Sequence, residues 1–195
     1  LDVRHSRLEL RLDPARRFVA GRVTHQVAAL DAEVRTVELH AAELSILAVS
    51  DGDGRSLPFT HAEGRLLVTL RAPLALGQET SVVVAYEGTP RRGLYFVAPD
   101  AHRPDKPVQA WTQGQDEDSR FWFPCFDFPN EKQTTEVVAT VPLGMKALSN
   151  GKLLGTTKDA KGGTSTWHWK LDVPHVAYLV TLCVGDFEIH ETSWK

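Results

Sequence analysis

Hydrophobic and polar residues alternate with a period of two along most of this 195-residue chain. Leu8-Glu9-Leu10-Arg11-Leu12 is a clean run of this kind and predicts a half-buried strand. Asp13-Pro14 closes it. Val19, Gly21, Val23, His25 and Val27 then fall on one face, so a second strand and a hairpin are expected. Residues 36–40 and 44–49 read as two short strands before a turn at Asp51-Gly52-Asp53-Gly54. Residues 57–60 and 66–70 predict a hairpin about Glu63-Gly64. Residues 78–87, with Val82-Val83-Val84 at their centre, predict a buried strand broken by Gly88, Pro90 and Gly93. Two further short strands fit residues 94–97 and 108–113, with a surface loop at 99–106 between them.

The same pattern resumes at residues 134–141. Asn150-Gly151 is the strongest two-residue hairpin signal and would join 147–149 to 153–156. Residues 165–171 place Trp167 and Trp169 on one face and His168 and Lys170 on the other, which reads as an ordinary buried face. Residues 178–189 suggest one long final strand. A dozen or more strands and no clear helix pattern predict an all-β fold, a multi-stranded antiparallel sandwich of curved sheets. The length suits one domain over residues 1–195.

One stretch resists this pattern. From Trp111 to Pro129 the chain reads Trp-Thr-Gln-Gly-Gln-Asp-Glu-Asp-Ser-Arg-Phe-Trp-Phe-Pro-Cys-Phe-Asp-Phe-Pro. Five of the thirteen Phe and Trp residues fall between Phe121 and Phe128. Long irregular loops in compact domains usually carry function. Each glutamine amide offers one acceptor and two donors. If the chain stays extended, Gln113 and Gln115 point to the same side and can hold a primary ammonium or a peptide backbone. The neighbouring acids add potential for a cation. Arg120 could tie the loop together by pairing with Asp116, Asp118 or Asp127, and the aromatic residues would anchor it. The plainer reading is two exposed polar residues at a strand end.

Charge and cysteine usage narrow the function classes. The net charge is −3 with both signs interspersed, and with no basic block nothing argues for nucleic acid or for an anionic membrane surface. No run of 18 apolar residues exists, so no membrane span is expected. No signal-peptide pattern opens the chain. Cys125 and Cys183 are not a Cys-x-x-Cys pair, which excludes a cysteine zinc site. One disulfide is formally possible, but two free thiols in the cytoplasm are expected. His190-Glu191 begins a zinc-hydrolase string, but Trp194 stands where the second histidine belongs. His5 and His25 could face each other across the first hairpin, without a third ligand. Asp116, Glu117 and Asp118 lack EF-hand spacing. There is no phosphate loop and no Gly-x-Ser-x-Gly elbow. On residues alone, no complete catalytic constellation exists.

The irregular stretch carries a resemblance. Thr112-Gln113-Gly114-Gln115, then Asp118-Ser119-Arg120, then Phe123-Pro124-Cys125-Phe126-Asp127-Phe128-Pro129 resembles the aminopeptidase N family of zinc metallopeptidases. The family string is Thr-Gln-x-Glu/Gln, Ala-Arg, then Phe-Pro-Cys-Phe-Asp-Glu-Pro. Ala147-Leu148-Ser149-Asn150-Gly151, Val173-Pro174, Tyr178-Leu179-Val180 and Val184-Gly185-Asp186-Phe187-Glu188 are similar to later family elements, and residues 5–27 to its first hairpin.

The resemblance implies a saddle-shaped all-β N-terminal domain that precedes a thermolysin-like catalytic domain, expected after residue 195. The Gly-x-Met-Glu-Asn and His-Glu-x-x-His elements of that domain are not in this sequence. Its zinc would lie there, with none bound by this chain, which would be inactive alone. By position, Gln115 matches the residue that helps bind the free α-amino group of a peptide N-terminus. Gln113 matches the glutamine lining the pocket for the first side chain. Arg120 and Asp127 would support the loop. The implied reaction is removal of N-terminal residues from peptides by zinc-activated water. Phe128 departs from the family's acid, and Gln115 offers a neutral acceptor. Two alternatives stay open: a non-catalytic scaffold or interaction module of the same fold, and a carbohydrate-binding sandwich using Trp167 and Trp169.

Overall fold

The computed structural model describes residues 1–190, 192 and 193. Among them are fourteen strands and no α-helix. The first seven strands are β1 (Asp2–Asp13), β2 (Phe18–Ala28), β3 (Val34–His40), β4 (Leu44–Asp51), β5 (Phe59–Ala62), β6 (Arg65–Leu74) and β7 (Glu79–Gly88). The rest are β8 (Gly93–Val97), β9 (Gln109–Gln113), β10 (Gln133–Pro142), β11 (Lys146–Ser149), β12 (Lys152–Asp159), β13 (Thr164–His175) and β14 (Leu182–Gly185). Two single 3-10 turns occur, Ser119–Phe121 and Ala177–Leu179. No described helix is long and apolar enough to cross a membrane, which says nothing about spanning by strands.

The strands form three sheets. The largest has seven strands in the order β12-β13-β10-β1-β2-β7-β4. A four-stranded sheet runs β11-β14-β9-β8, and a three-stranded one β3-β6-β5. Period-two alternation explains why the small sheets cover one face of the large one. Leu8, Leu10 and Leu12 of β1, Val19, Val23 and Val27 of β2, and Val137, Ala139 and Val141 of β10 all turn inward. They share one core with Val37, Leu39, Leu66 and Val68 of the three-stranded sheet and Leu94, Ala110, Leu182 and Val184 of the four-stranded one. Burying a side chain of this kind stabilises the fold by about 2 kcal/mol.

The predicted β1–β2 and β5–β6 hairpins are present. Three expectations are corrected. A register shift between Val3 and His5 puts Ser6, not His5, opposite His25. Ser6 and His25 are buried together, whereas His5 faces Glu136 and Thr134 on the other side of the sheet. Asn150-Gly151 does not join paired strands: β11 pairs with β14 and β12 with β13, so the chain changes sheets there. Gly151 is needed because a Cβ would lie 2.0 Å from the Lys170 carbonyl oxygen. The long final strand is only β14, preceded by the 3-10 turn at Ala177–Leu179. Finally, β1 and β10 pair in parallel, from His5↔Thr134 to Arg11↔Thr140, inside an otherwise antiparallel sheet.

Candidate functional site

The irregular stretch leaves the four-stranded sheet at the end of β9 and returns to the large sheet at β10. Its first half is gripped by close backbone approaches. Gly114 has no room for a side chain, since a Cβ would lie 2.7 Å from both Ser119 Oγ and the Tyr178 carbonyl oxygen. The Asp118 N–H donates to the Gly114 carbonyl at 2.9 Å and closes a turn. Ser119 is buried and donates its hydroxyl to the Ala177 carbonyl at 3.0 Å. From β8, Gly93 at φ +70° lies against the Asp118 carbonyl, where a Cβ would come within 2.0 Å.

Arg120 holds the second half. Its backbone N–H and its Nε–H both donate to Asp127 Oδ2 at 3.0 Å, and its Nη2 donates to Glu117 Oε2 at 2.6 Å. Of the acids proposed as partners, Asp127 is the one used, with Glu117 in place of Asp116 or Asp118. Asp127 is buried, and that burial pushes its carboxyl pKa up against the opposing pull of Arg120. The aromatic anchor is split. Trp122 and Phe123 are fully buried, with ring centroids 4.5 Å apart. Phe128 remains exposed and packs edge-on against His40 at 4.7 Å and Phe126 at 5.3 Å. An apolar contact therefore stands where the family string has an acid.

Two histidines brace the loop from below. His25 Nε2 donates to the Pro124 carbonyl at 2.9 Å while its Nδ1 accepts from the Ser6 hydroxyl at 2.7 Å. Complete burial lowers its pKa to about 4, so the ring is neutral. His40 exchanges backbone hydrogen bonds with Cys125, and its Nδ1 accepts the Asp127 N–H at 3.1 Å. Burial, followed by the Arg120 charge, lowers its pKa as well. His40 escaped the sequence reading because no local signal ties it to a loop some eighty residues later.

Gln113 and Gln115 are both exposed at the mouth of this clamped loop. The extended conformation ends at Gln113, so Gln115 reaches solvent through the turn and not by strand alternation. The Gln115–Asp116 peptide is cis. Gln113 shares its face of β9 with Trp111, two residues away. Tyr95 stacks on Trp111 with ring centroids 4.9 Å apart. Leu148, Cys183, Trp111 and Tyr95 are successive register partners across the four strands. Their outward face is an apolar strip that crosses the sheet from Leu148 to Tyr95 and passes beside Gln113 at Trp111.

Other candidates are separated by the fold. Among the described residues no group of three or more His, Cys, Asp and Glu side chains could hold a metal ion. His190 is exposed, and Glu191 and Trp194 of the zinc-like string lie outside the described residues. Cys125 and Cys183 are free thiols. Trp167 and Trp169 face inward but are only half-buried. They line a cleft of about 690 Å³ with Leu148, Leu153, Phe187 and Ile189. Their indole N–H groups are already used by Ser165 Oγ and the Ala147 carbonyl.

Comparison with known proteins decides the family. Residues 3–179 match the peptidase M1 N-terminal domain. The chain belongs to that family. An M1 zinc metallopeptidase of Deinococcus radiodurans superposes with a TM-score of 0.82 at 25% identity, over 94% of this chain and 42% of that one. Mouse aminopeptidase B is 29% identical over 70% of this chain and 20% of its own length. Zebrafish (Danio rerio) transcription initiation factor TFIID subunit 2 is 35% identical over 51% of this chain and 9% of its own length. This M1 N-terminal domain chain therefore spans a fifth or less of the curated relatives it matches here.

Proposed function

We propose that this chain is the substrate-anchoring N-terminal domain of a zinc-dependent aminopeptidase that removes N-terminal residues from peptides. The observation that carries the reading is the contrast within one loop: Gln113 and Gln115 are exposed while Arg120, Trp122, Phe123 and Asp127 fix the backbone behind them. Two amides presented by a clamped loop suit a primary ammonium, whose N–H donors the side-chain carbonyls accept. Exposed Asp116 adds favourable potential beside Gln115. Gln115 takes the α-amino group and Gln113 lines the pocket for the first side chain. Holding the ammonium fixes the first peptide bond relative to the reacting groups, which is a positioning effect. A neutral acceptor binds an ammonium more weakly than a carboxylate would.

On this reading the zinc belongs to a catalytic domain following residue 195, and among the described residues no group of three or more His, Cys, Asp and Glu side chains could hold a metal ion. The apolar strip of Tyr95, Trp111, Cys183 and Leu148 is the face we assign to that intramolecular partner, because it passes beside Gln113 on β9. The chain alone is then inactive. A cytoplasmic setting agrees with two unpaired thiols. One structural neighbour, a variant of the Deinococcus radiodurans enzyme, is described as bound to a Tyr-Ser-Ala substrate, which supports short peptides as the ligand class.

The test is Gln115→Ala in the full-length protein. It should raise KM for aminoacyl substrates about 10-fold or more, the scale of one hydrogen bond to a charged group, with a smaller change in kcat. Unchanged KM and kcat would remove Gln115 from the site. The second reading, a non-catalytic interaction module, is favoured by the likeness to TFIID subunit 2. A full-length protein without aminopeptidase activity would select it.

A further inference from the structure

We propose that His40 is a positioning residue for the Gln113–Gln115 loop: by accepting the Asp127 N–H it fixes the carboxylate that Arg120 grips, and through Arg120 it holds Glu117 and the turn carrying Gln115. The inference rests on the anchoring reading above and adds a residue from a different sheet. Four contacts converge at this corner. His40 N–H donates to the Cys125 carbonyl at 2.7 Å, and Cys125 N–H returns the bond at 3.0 Å. Two residues on, Ala42 N–H donates to the Arg120 carbonyl at 2.9 Å. The fourth contact is the side chain: Nδ1 receives the Asp127 N–H at 3.1 Å. The end of β3 thus touches the loop at Arg120, Cys125 and Asp127, and the imidazole is the only part of that grip that can change its hydrogen-bonding role.

An imidazole can accept at Nδ1 only while that nitrogen carries no proton. The ring is packed against Phe126 and Phe128, with no carboxylate at position 128 to stabilise a cation. The groups facing it are Arg120, Glu117, Asp127 and Cys125 of the loop, Glu38 of β3 and Arg65 of β6. Glu117 is engaged by Arg120, and Glu38 by Arg65. Neutral His40 therefore keeps the clamp closed. Protonated His40 turns a donor toward the Asp127 N–H and opens it.

Three variants test this. In the 195-residue chain, His40→Leu should speed amide hydrogen exchange at Asp127 and Arg120, whereas His40→Asn, whose Oδ1 takes the place of Nδ1, should restore protection. In the full-length protein, His40→Leu should raise KM about 5-fold with little change in kcat, and His40→Asn should bring it back to within about 2-fold, the scale of one hydrogen bond. KM of the unaltered protein should rise on acidification through the His40 titration, and the His40→Asn protein should lack that rise. Unchanged exchange at Asp127 and Arg120 in His40→Leu overturns the proposal. So does an unchanged KM in His40→Leu when Gln115→Ala raises it, which leaves the anchoring reading intact. An unchanged KM in Gln115→Ala removes the anchoring reading itself, and the role of His40 with it.

Discussion

Asp127 Oδ2 receives two hydrogen bonds from one residue, the backbone N–H and the Nε–H of Arg120, each at 3.0 Å. This makes a pair whose members differ in consequence. Arg120 is partly exposed and can be solvated, while Asp127 is buried and has no water to replace its partner. Arg120→Ala removes the charge partner and leaves the buried carboxylate only the backbone N–H of residue 120, and should cost about 3 kcal/mol, read from urea unfolding. The double variant with Asp127→Asn should cost less than the sum of the two single changes, because contacting residues couple.

Two glycines at positive φ, Gly93 beside the loop and Gly77 in the β6–β7 turn, divide by what a Cβ would meet. Gly93 has φ +70° and a Cβ there would lie 2.0 Å from the Asp118 carbonyl oxygen. Gly77 has φ +75° but nothing within 4 Å. Gly77→Ala should cost about 1 kcal/mol, the backbone effect alone. Gly93→Ala must also move the loop, so its loss should be at least twice as large, and the near-ultraviolet signal of Trp122 should change only in that variant.

Stability should fall on acidification, and His25 sets much of the slope. Its pKa is near 6.5 when unfolded and about 4 in the fold, so the unfolded chain binds more protons between those values. The contribution is fully present above pH 6.5 and is lost as pH drops toward 4, amounting to about 3 kcal/mol. His5, His40 and His175 are lowered by burial as well and add in the same direction. Unfolding free energies measured by denaturant at several pH values should show this slope, and His25→Gln should flatten it.

The two thiols should react in sequence. Cys125 is fully buried and its pKa is pushed well up, first by burial and then by Asp127. Cys183 is half-buried on the outward sheet face, and burial raises it too. A thiol-reactive disulfide reagent at pH 8 should modify one thiol slowly in the native chain and the second only on unfolding. In the full-length protein, Cys183 should become protected if the outward face is covered.

Local chemistry made some of this fold legible. Leu8, Leu10 and Leu12 mark β1 because alternation records which side faces the core. Glu63-Gly64 marks the β5–β6 turn because its φ values, +52° and +75°, favour glycine. Asn150-Gly151 misled because a turn signal states that the chain bends, not which strand it meets next. Residues 178–189 misled because Val180, Leu182 and Val184 are apolar from burial, not from one continuous strand. At the loop, Gln113, Gln115, Arg120 and Asp127 were visible through motif and charge. Their support was not, since His40 and His25 arrive from β3 and β2 through contacts that sequence spacing cannot express.

The parallel seam between β1 and β10 has a kinetic consequence. Its register partners lie 129 residues apart, His5 with Thr134 through Arg11 with Thr140. During synthesis the first strand emerges with one edge unsatisfied, and its neighbour on that edge follows only after the whole loop from Gln113 to Pro129 has been made. Contacts this distant close slowly, because the intervening chain must be ordered before they reward it. The loop lies within the chain segment that this pairing closes, so a refolding experiment should recover the β1–β2 hairpin early and the buried environment of Trp122 late.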